Sequence, residues 1–277
     1  MSDKDLAIMT EVKNLLCQHD FEVDIVDEDD KEGLIRARRR RYKAVFTMLR
    51  GEEAKEILKN FEYRDIPTIN SSFGITSAQR WIVTAILDDN QIPMPKFFRL
   101  NGANSFHQDY LIPLMHQRFH PPFWIKKGEG WAEHKEDVSF AATMEEAIEK
   151  ISRIHQRYPE GTVFLVEHLK GDLIKFYGVQ GTDFFFWKYP DLNNSKFGLE
   201  AINGLPARFK FDEMKLKQLC DHISELTDIV VYGGDCIVDA DGSFRIIDFN
   251  DWPSFSACRQ NAAQAITERI LKEVQSI

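Results

Sequence analysis

The segment from residue 232 to residue 255 constrains the fold more than any other part of the sequence. Two apolar, β-branched runs flank Asp241 and Gly242, and Asp-Gly is a favoured two-residue connection between antiparallel strands. With a two-residue turn there, the numbers of facing residues add to 483, so that Cys236 faces Ile247. A four-residue loop would shift this pairing by two residues. The sequence therefore predicts a β-hairpin at this point.

Polar side chains follow one face of this predicted hairpin. Asp235 faces Asp248, and Asn250 shares their face because successive strand residues alternate between the two faces. Like charges directly opposed at ~5 Å destabilise a sheet, so two such carboxylates need a cation, a shared proton or solvent. A hard cation such as Mg²⁺ takes oxygen ligands of this kind. Two interpretations stay open from spacing alone: a metal site, or a hairpin edge with two solvated acids.

Composition narrows the classes of protein to consider. The chain has 277 residues, a net charge of −9 and 43% hydrophobic residues, which is enough apolar surface to fold and too much for disorder throughout. The length fits about two domains or one large one. We expect no membrane segment and a reduced, cytoplasmic protein, because no apolar run approaches ~18 residues and residues 1–5 lack the basic and apolar signature of a signal peptide. The acidic balance argues against a nucleic-acid partner. Four scattered cysteines give neither a zinc motif nor a disulfide framework: Cys17, Cys220, Cys236 and Cys258.

The first 75 residues alternate between strand-like and helix-like patterns, which favours an α/β lobe with a parallel sheet. The predicted strands are 21–26, 44–49 and 66–70, and the predicted helices are 10–19 and 52–61. Residues 6–9 fit either a strand or the start of the first helix. The basic cluster Arg38–Arg41 is either a solvated face or a contact for an acidic partner.

The rest of the chain begins with one predicted amphipathic helix, residues 76–90, which two prolines at positions 93 and 95 terminate. Later helices and strands follow in a mixed order, and residues 191–207 are predicted to form a loop. The predicted helices are 144–158, 212–227 and 263–277, and the predicted strands are 162–169, 173–180 and 184–188. The fold class predicted from these patterns is α/β (α+β).

The order of Asp235, Asp248, Phe249 and Asn250 resembles the metal-binding end of the ATP-grasp superfamily. In that family an acid precedes an acid-x-Asn triplet by about a dozen residues. The resemblance implies ATP as a cofactor and Asp235, Asp248 and Asn250 as ligands of Mg²⁺, with Mn²⁺ as an alternative metal. Asp248 stands where most ligases of the family have Glu and where some kinase-type members have Asp.

Further segments resemble the same family in the expected order. Residues 123–126 are similar to the strand whose lysine reaches the phosphates of ATP, which implies that role for Lys126. The Gly-containing residues 127–131 are similar to the flap that follows. Lys175, inside an apolar strand, is implied as a second phosphate ligand, and Arg80 replaces the lysine of an upstream helix.

Residues 162–172 resemble the segment of the family that holds adenine and ribose. The resemblance implies that the backbone of Glu167, His168 and Leu169 pairs with the adenine edge and that Asp172 binds the ribose hydroxyls.

The resemblance covers about residues 44–262. It implies an ATP-grasp fold in which a lobe of residues 1–75 precedes an ATP-grasp domain of residues 76–277. Within that domain we expect a flap-bearing subdomain at about 97–165 and a metal-binding subdomain at about 166–277.

The implied activity is a ligase that phosphorylates a small-molecule or peptide carboxylate to an acyl phosphate and joins it to an amine or thiol. Glutathione synthetases, D-alanine ligases and glutamate-adding protein modifiers are examples. The first alternative is a kinase acting on a polyol phosphate, because Arg80, Asp248 and His134 resemble the inositol trisphosphate 5/6-kinases. The second is a non-catalytic ATP-binding module. Most members of the family are ligases, which favours the first interpretation.

Catalytic and acceptor residues are less constrained by the sequence. We assign Lys126, Lys175 and Arg259 as catalytic. The two lysines follow from the family resemblance, and Arg259 is included because it begins the last helix nine residues beyond Asn250. Acceptor candidates mostly follow strand ends, where open α/β sheets bind ligands. They are Arg50, Asn70, Ser71, Ser72, His134 and Arg208. The oligomeric state and the identity of the acceptor do not follow from the sequence.

Overall fold

The computed structural model describes residues 3–27, 29–49, 51–103, 113, 120–129, 134–190 and 202–275. In these ranges the helices are α1 (Asp3–Gln18), α2 (Lys31–Arg39), α3 (Glu52–Glu62), α4 (Ser72–Ser77), α5 (Arg80–Asp89), α6 (Met144–Arg157), α7 (Glu213–Thr227) and α8 (Arg259–Gln275). The strands are β1 (Val45–Phe46), β2 (Thr68–Ile69), β3 (Phe97–Asn101), β4 (Phe123–Lys127), β5 (Val138–Ala141), β6 (Thr162–Glu167), β7 (Asp172–Val179), β8 (Phe185–Lys188), β9 (Val231–Val238) and β10 (Phe244–Asp251).

The strands of the described ranges form three sheets. β1 and β2 pair in parallel, and the other two sheets are antiparallel with the orders β3-β6-β4-β5 and β10-β9-β7-β8. We call the latter two the flap sheet and the metal sheet. The mixture of helices and sheets confirms the predicted α/β (α+β) class. Residues 97–167 contribute to the flap sheet and residues 172–251 to the metal sheet, whereas the predicted domain limits stay a prediction.

Apolar packing places a helix against each large sheet. α6 covers the flap sheet, where Ile151 and Ile154 pack on Ile125 and Leu165. α5 and α7 contribute to a core over the metal sheet that includes Leu216 and the strand residue Phe176. Each sheet therefore has a face covered by a helix, and the metal sheet also contributes Val179 and Val231 to the core that contains α8.

The first helix is longer than the sequence pattern predicted and settles the ambiguity at residues 6–9, which are helical. Ile8, Val12 and Leu16 recur every four residues and are at most 3% exposed. This stripe packs against α8 in a shared core.

The predicted strands of the first lobe are mostly wrong. Residues 21–26 form no strand, and the predicted strands at 44–49 and 66–70 shrink to two residues each. Phe21 and Val23 instead pack their side chains against the core between α1 and α8. The apolar alternation therefore reflects burial without strand pairing.

Two helical predictions also need correction. α2, which the sequence analysis missed, begins after Asp30, whose side chain accepts a 2.8 Å bond from the Gly33 N–H and caps the helix. The predicted helix 76–90 is interrupted, because Gln79 is extended and α5 starts again at Arg80. The Trp81 N–H then donates 3.2 Å to the Gly128 carbonyl of another segment, a tertiary bond that local propensity does not encode.

The basic cluster Arg38–Arg41 begins in the last turn of α2, where positive side chains favour the helix dipole. Arg40 and Tyr42 both contact the Asp24 carboxylate, at 2.6 Å and 2.8 Å. These bonds hold the pKa of Asp24 below its usual range, with the Tyr42 hydroxyl as the largest cause. Arg40 of the cluster is therefore paired within the fold, and the role of the cluster as a whole stays a prediction.

The β9–β10 hairpin differs from the predicted register near its turn. Asp239 and Ser243 are joined by a three-residue connection in which Gly242 alone has a positive φ, 83°. Facing residues near the turn therefore add to 482, as in the pair Cys236–Ile246, and the predicted pair Cys236–Ile247 is wrong. A β-bulge at Ile247 restores the sum of 483 further along the strands. Asp235 consequently faces Asp248, which confirms that part of the prediction.

Candidate functional site

Three charged residues lie side by side on three neighbouring strands of the metal sheet. In the ladder of β7, β9 and β10, Lys175 faces Asp235, and Asp235 faces Asp248. The Lys175 Nζ donates to the Asp235 Oδ1 at 3.1 Å. Each of these three side chains is about one quarter exposed, so the row lies at the edge of solvent.

Two further cations reach this row from outside the metal sheet. The Lys126 Nζ, on β4 of the flap sheet, donates to the Ile247 carbonyl at 3.1 Å. Arg80, the first residue of α5, donates from Nη1 to the Lys127 carbonyl at 2.7 Å, and its Nη2 lies 3.9 Å from the Asp248 Oδ2. The flap sheet, the metal sheet and α5 therefore meet at one cluster, which we call the cation cluster: Arg80, Lys126 and Lys175.

Burial and opposite charge act against each other in this cluster. Burial lowers the pKa of Lys126, with Asp248 as the main opposing charge. Burial also raises the pKa of Asp235, although Lys175 opposes the shift. At Asp248 burial again raises the pKa, but the charges of Arg80, Lys126 and Lys175 and the hydrogen bond from Asn250 outweigh it and leave the pKa lowered. Asp248 is therefore held as an anion at neutral pH.

The donor set of Asp235, Asp248 and Asn250 fits a hard cation. Two carboxylates face each other, and the Asn250 side chain hydrogen-bonds Asp248 from the same strand. Within the described ranges no group of three or more His, Cys, Asp or Glu residues is placed to hold a metal. Mg²⁺ is commonly held by one or two carboxylates together with water and substrate phosphates, which matches this partial set.

A narrow slot lies between the two sheets beside the cation cluster. It has a volume of about 40 Å³, with Phe164 and Val166 on one wall, Ile246 and Phe249 on the other, and Lys126 at its end. This volume holds only a few water molecules, since one needs roughly 10–15 Å³. A planar aromatic ligand therefore requires the two sheets to separate.

Comparison of the whole chain with solved structures agrees with this arrangement. A D-alanine–D-alanine ligase from Bacillus anthracis, in complex with ATP, superposes with a TM-score of 0.66 at 15% identity, covering 100% of this chain and 96% of that chain. A RimK-domain ATP-grasp protein from Sphaerobacter thermophilus gives 0.58 at 14% identity, covering 83% and 82%. The ATP-grasp ligase PsnB, in complex with a minimal precursor, Mg and ADP, gives 0.54 at 15% identity, covering 80% and 67%.

The chain has the ATP-grasp fold. This finding confirms the fold that the sequence resemblance implied. Neither a protein-family model nor a curated protein sequence matches the chain.

The segment predicted to pair with adenine already forms hydrogen bonds within the fold. The Glu167 N–H donates to the Lys96 carbonyl at 2.9 Å, and the His168 N–H donates to the Pro122 carbonyl at 3.3 Å. Pairing of these two N–H groups with adenine is therefore not supported. Leu169 is 4% exposed and forms part of the buried wall behind the segment.

The His168 ring belongs to an aromatic cluster on the exposed side of the flap sheet. Its Nδ1 accepts a 3.1 Å bond from the Trp124 Nε1–H, so this nitrogen carries no proton. Burial, followed by the nearby charge of Lys170, lowers the pKa of His168. The ring is therefore neutral at physiological pH and lies edge-on to Phe140, with a centroid distance of 5.4 Å.

Asp172, which was predicted to bind ribose, is held inside the fold, and its role toward ribose stays a prediction. Its carboxylate is buried, at 3% exposure, and accepts bonds from the backbone N–H groups of Ala207 and Phe209 at 2.6 Å and 2.7 Å. These two bonds use roughly half of the acceptor capacity of a carboxylate. Asp172 therefore fixes the segment that precedes α7.

Three acceptor candidates near the first lobe are also structural. Asn70 is fully buried and bonds both the N–H and the carbonyl of Val231, at 2.8 Å and 3.0 Å. Ser71 caps α4 and donates to Asp228, whereas Ser72 donates from N and Oγ to the Glu62 carboxylate. These side chains join elements of the fold, and their assignment to acceptor binding stays a prediction.

The remaining candidates are scattered. His134 is exposed and begins a short 3₁₀ helix, where its N–H donates to Asp137 at 3.0 Å. Arg208 is exposed in the segment held by Asp172, while Arg259 is half-buried at the start of α8. Their roles stay predictions, and Arg50 lies outside the described residues.

Two contributors to the site were missed by sequence reasoning. The bulge at Ile247 supplies the carbonyl that binds Lys126, and no sequence signal marks it. Gly234 allows β10 to approach β9, because a Cβ there would lie 2.1 Å from the Asp248 carbonyl oxygen. The paired glycines at positions 233 and 234, inside a strand, are a signal of such close approach.

Proposed function

We propose that this protein is an ATP-dependent ligase that activates a carboxylate as an acyl phosphate and joins it to an amine. The observation that carries the proposal is the meeting of Arg80, Lys126 and Lys175 with the facing pair Asp235 and Asp248. Cations beside paired carboxylates suit the transfer of a phosphoryl group, where catalysis is largely positioning and charge stabilisation.

Each part of the site has a distinct task in this proposal. The cation cluster binds the phosphate oxygens of ATP, and Asp235, Asp248 and Asn250 hold Mg²⁺. Bound Mg²⁺ would neutralise charge on the bridging phosphates. Lys126 already spans from the flap sheet to the metal sheet, so it is placed to draw the two sheets together around a nucleotide.

The reaction balances without any further cofactor. A carboxylate oxygen of the substrate attacks the γ-phosphorus, the bond from that phosphorus to the β,γ-bridging oxygen breaks, and ADP leaves. The amine nitrogen then attacks the acyl carbon, inorganic phosphate leaves, and the amine proton passes to solvent.

Neighbouring structures support ATP and magnesium in this assignment. They include a ligase determined in complex with ATP and PsnB in complex with Mg and ADP, and PsnB acts as an ATP-grasp ligase. Among the described residues, no observation favours the kinase alternative. His134, the histidine that resembles the kinases, is exposed, and its N–H donates to Asp137 in its own 3₁₀ helix. We therefore retain only the ligase.

Trapping the acyl phosphate tests the proposal directly. The protein is incubated with MgATP, hydroxylamine and pools of amino acids, N-acetyl amino acids and short peptides, and both ADP and hydroxamate are measured. A carboxylate ligase forms both in equal amounts. ADP release with polyol phosphates alone would show a kinase, and tight ATP binding without ADP in any pool would show a binding module.

A matched pair of variants separates the metal site from the rest of the hairpin. Asp248→Asn is expected to reduce kcat by about 100-fold or more, the usual loss for one electrostatic group at a transition state. Asp241→Asn, at the exposed turn of the same hairpin, is expected to retain wild-type turnover. Normal turnover in Asp248→Asn would refute the metal assignment.

A further inference from the structure

A large cavity lies inside the first lobe, away from the narrow slot. Its volume is about 620 Å³, and its walls come from α1, α2, α3, β1, α8 and the residues after β10. We call it the lobe cavity. Representative wall residues are Leu16, Leu34, Phe46, Leu58, Trp252 and Ile270.

The lobe cavity has the size and chemistry of a small-molecule site. Ligand sites usually measure about 300–1,000 Å³, and an apolar cavity of ~150 Å³ already binds benzene. Most of the lining side chains are aliphatic or aromatic. Such a cavity favours an apolar group over water.

One wall of the cavity continues directly from the metal sheet. Trp252, Pro253 and Ser254 line the cavity and follow Asn250 by two to four residues, a chain length of at most about 14 Å. Trp252 also stacks on Phe46 of β1, with ring centroids 6.5 Å apart. Thr47, directly after Phe46, also lines the cavity where β1 ends, and the carboxyl ends of parallel strands are common ligand positions.

The polar residues of the wall restrict the charge of an occupant. Among the residues that the structure describes, the wall includes the acids Asp5, Glu22 and Asp24 and no lysine or arginine. Asp24 is already bonded by Arg40 and Tyr42. A negatively charged group inside the cavity would be repelled by these acids, so the part of the occupant inside the cavity is uncharged.

We propose that the lobe cavity binds the uncharged aliphatic or aromatic part of the carboxylate substrate, while the carboxylate itself reaches the cation cluster. This inference rests on the proposed function, because it assigns the acceptor of the same reaction. It identifies the acceptor as a carboxylate that carries a bulky apolar group.

A neutral fluorescent probe, N-phenyl-1-naphthylamine, tests the cavity without any catalysis. The wild-type protein is expected to bind one probe, and Ala54→Trp to bind it at least tenfold more weakly, because the buried Ala54 lines the cavity on α3. Glu53→Trp adds the same side chain on the exposed face of α3 and is expected to bind like the wild type. Ala37→Leu, a smaller filling change at a half-buried lining position, provides a second test if Ala54→Trp does not fold.

Substrate selectivity tests the assignment itself. With MgATP and hydroxylamine, kcat/KM for ADP release is expected to be at least tenfold higher with N-acetylphenylalanine than with N-acetylglycine, and this ratio to fall toward one in Ala54→Trp. Equal rates with both carboxylates, or probe binding unchanged by filling, would overturn the inference alone. Probe binding without ADP release from any carboxylate would instead refute the proposed function and, with it, the substrate assignment.

Discussion

The buried bridge between Asn70 and Val231 leads to a quantitative prediction. Asn70→Ala removes the partner of the Val231 N–H and of the Val231 carbonyl, which are bonded at 2.8 Å and 3.0 Å beside a fully buried side chain. A buried polar group left without a partner costs about 1–3 kcal/mol. Two such groups at the lower part of that range give an expected loss of about 3 kcal/mol in the free energy of unfolding.

Urea denaturation and thermal melting measure this loss. For a domain of roughly 150–250 residues, 1 kcal/mol shifts the melting temperature by about 2–4 °C, so we expect a decrease of about 6–12 °C. Asn90→Ala is the matched control, because Asn90 is exposed and makes one bond to the Ile86 carbonyl. Its effect is expected to stay within about 0.5 kcal/mol.

The same variant separates a structural from an acceptor-binding role of Asn70. A structural role lowers stability and leaves KM for the carboxylate unchanged in the protein that remains folded. Wild-type stability combined with a raised KM would refute the reasoning and restore Asn70 as an acceptor ligand.

Further predictions concern the metal sheet and the cysteines. Asp172→Ala leaves two backbone N–H groups of the segment before α7 without their partner, so we expect faster limited proteolysis at residues 202–210 and about 2–3 kcal/mol lower stability. Deletion of Ile247 removes the bulge and the carbonyl that accepts from Lys126 while Asp248 stays opposite Asp235, so MgATP-dependent ADP release is expected to fall while circular dichroism stays near wild type. At pH 8, iodoacetamide is expected to modify the exposed Cys17 and to spare Cys258, because burial raises the pKa of the Cys258 thiol to about 12. Mass spectrometry identifies the modified cysteine, and modification of Cys258 before Cys17 would contradict this prediction.

The sequence predicted the features of the site that depend on regular geometry. The facing of Asp235 and Asp248 follows from hairpin pairing, whereas the position of Lys126 beside them was implied by the family resemblance. The two-residue turn was wrong, yet the bulge at Ile247 compensated for the extra loop residue. The predicted facing of Asp235 and Asp248 is therefore correct because the longer turn and the bulge shift the pairing in opposite directions.

Features that depend on distant partners were not predictable from the sequence. The residues Asn70, Ser72 and Asp172 are polar and follow or begin strands, a pattern equally typical of ligands and of structural bridges. Only the position of Val231, Glu62 or the backbone at residue 207 decides between the two. The strand prediction for residues 21–26 was wrong for a related reason, because an alternating apolar pattern indicates burial and does not show whether a partner strand is available.

The packing of α1 against α8 also determines when this core can form during synthesis in the cell. About 240 residues separate Leu16 from the start of α8, although both belong to one apolar core. A ribosome releases residues in order, so α1 waits with its apolar stripe exposed until α8 has emerged. This core must therefore assemble late in synthesis, and fragments that stop before residue 259 should be captured by chaperones or aggregate through α1.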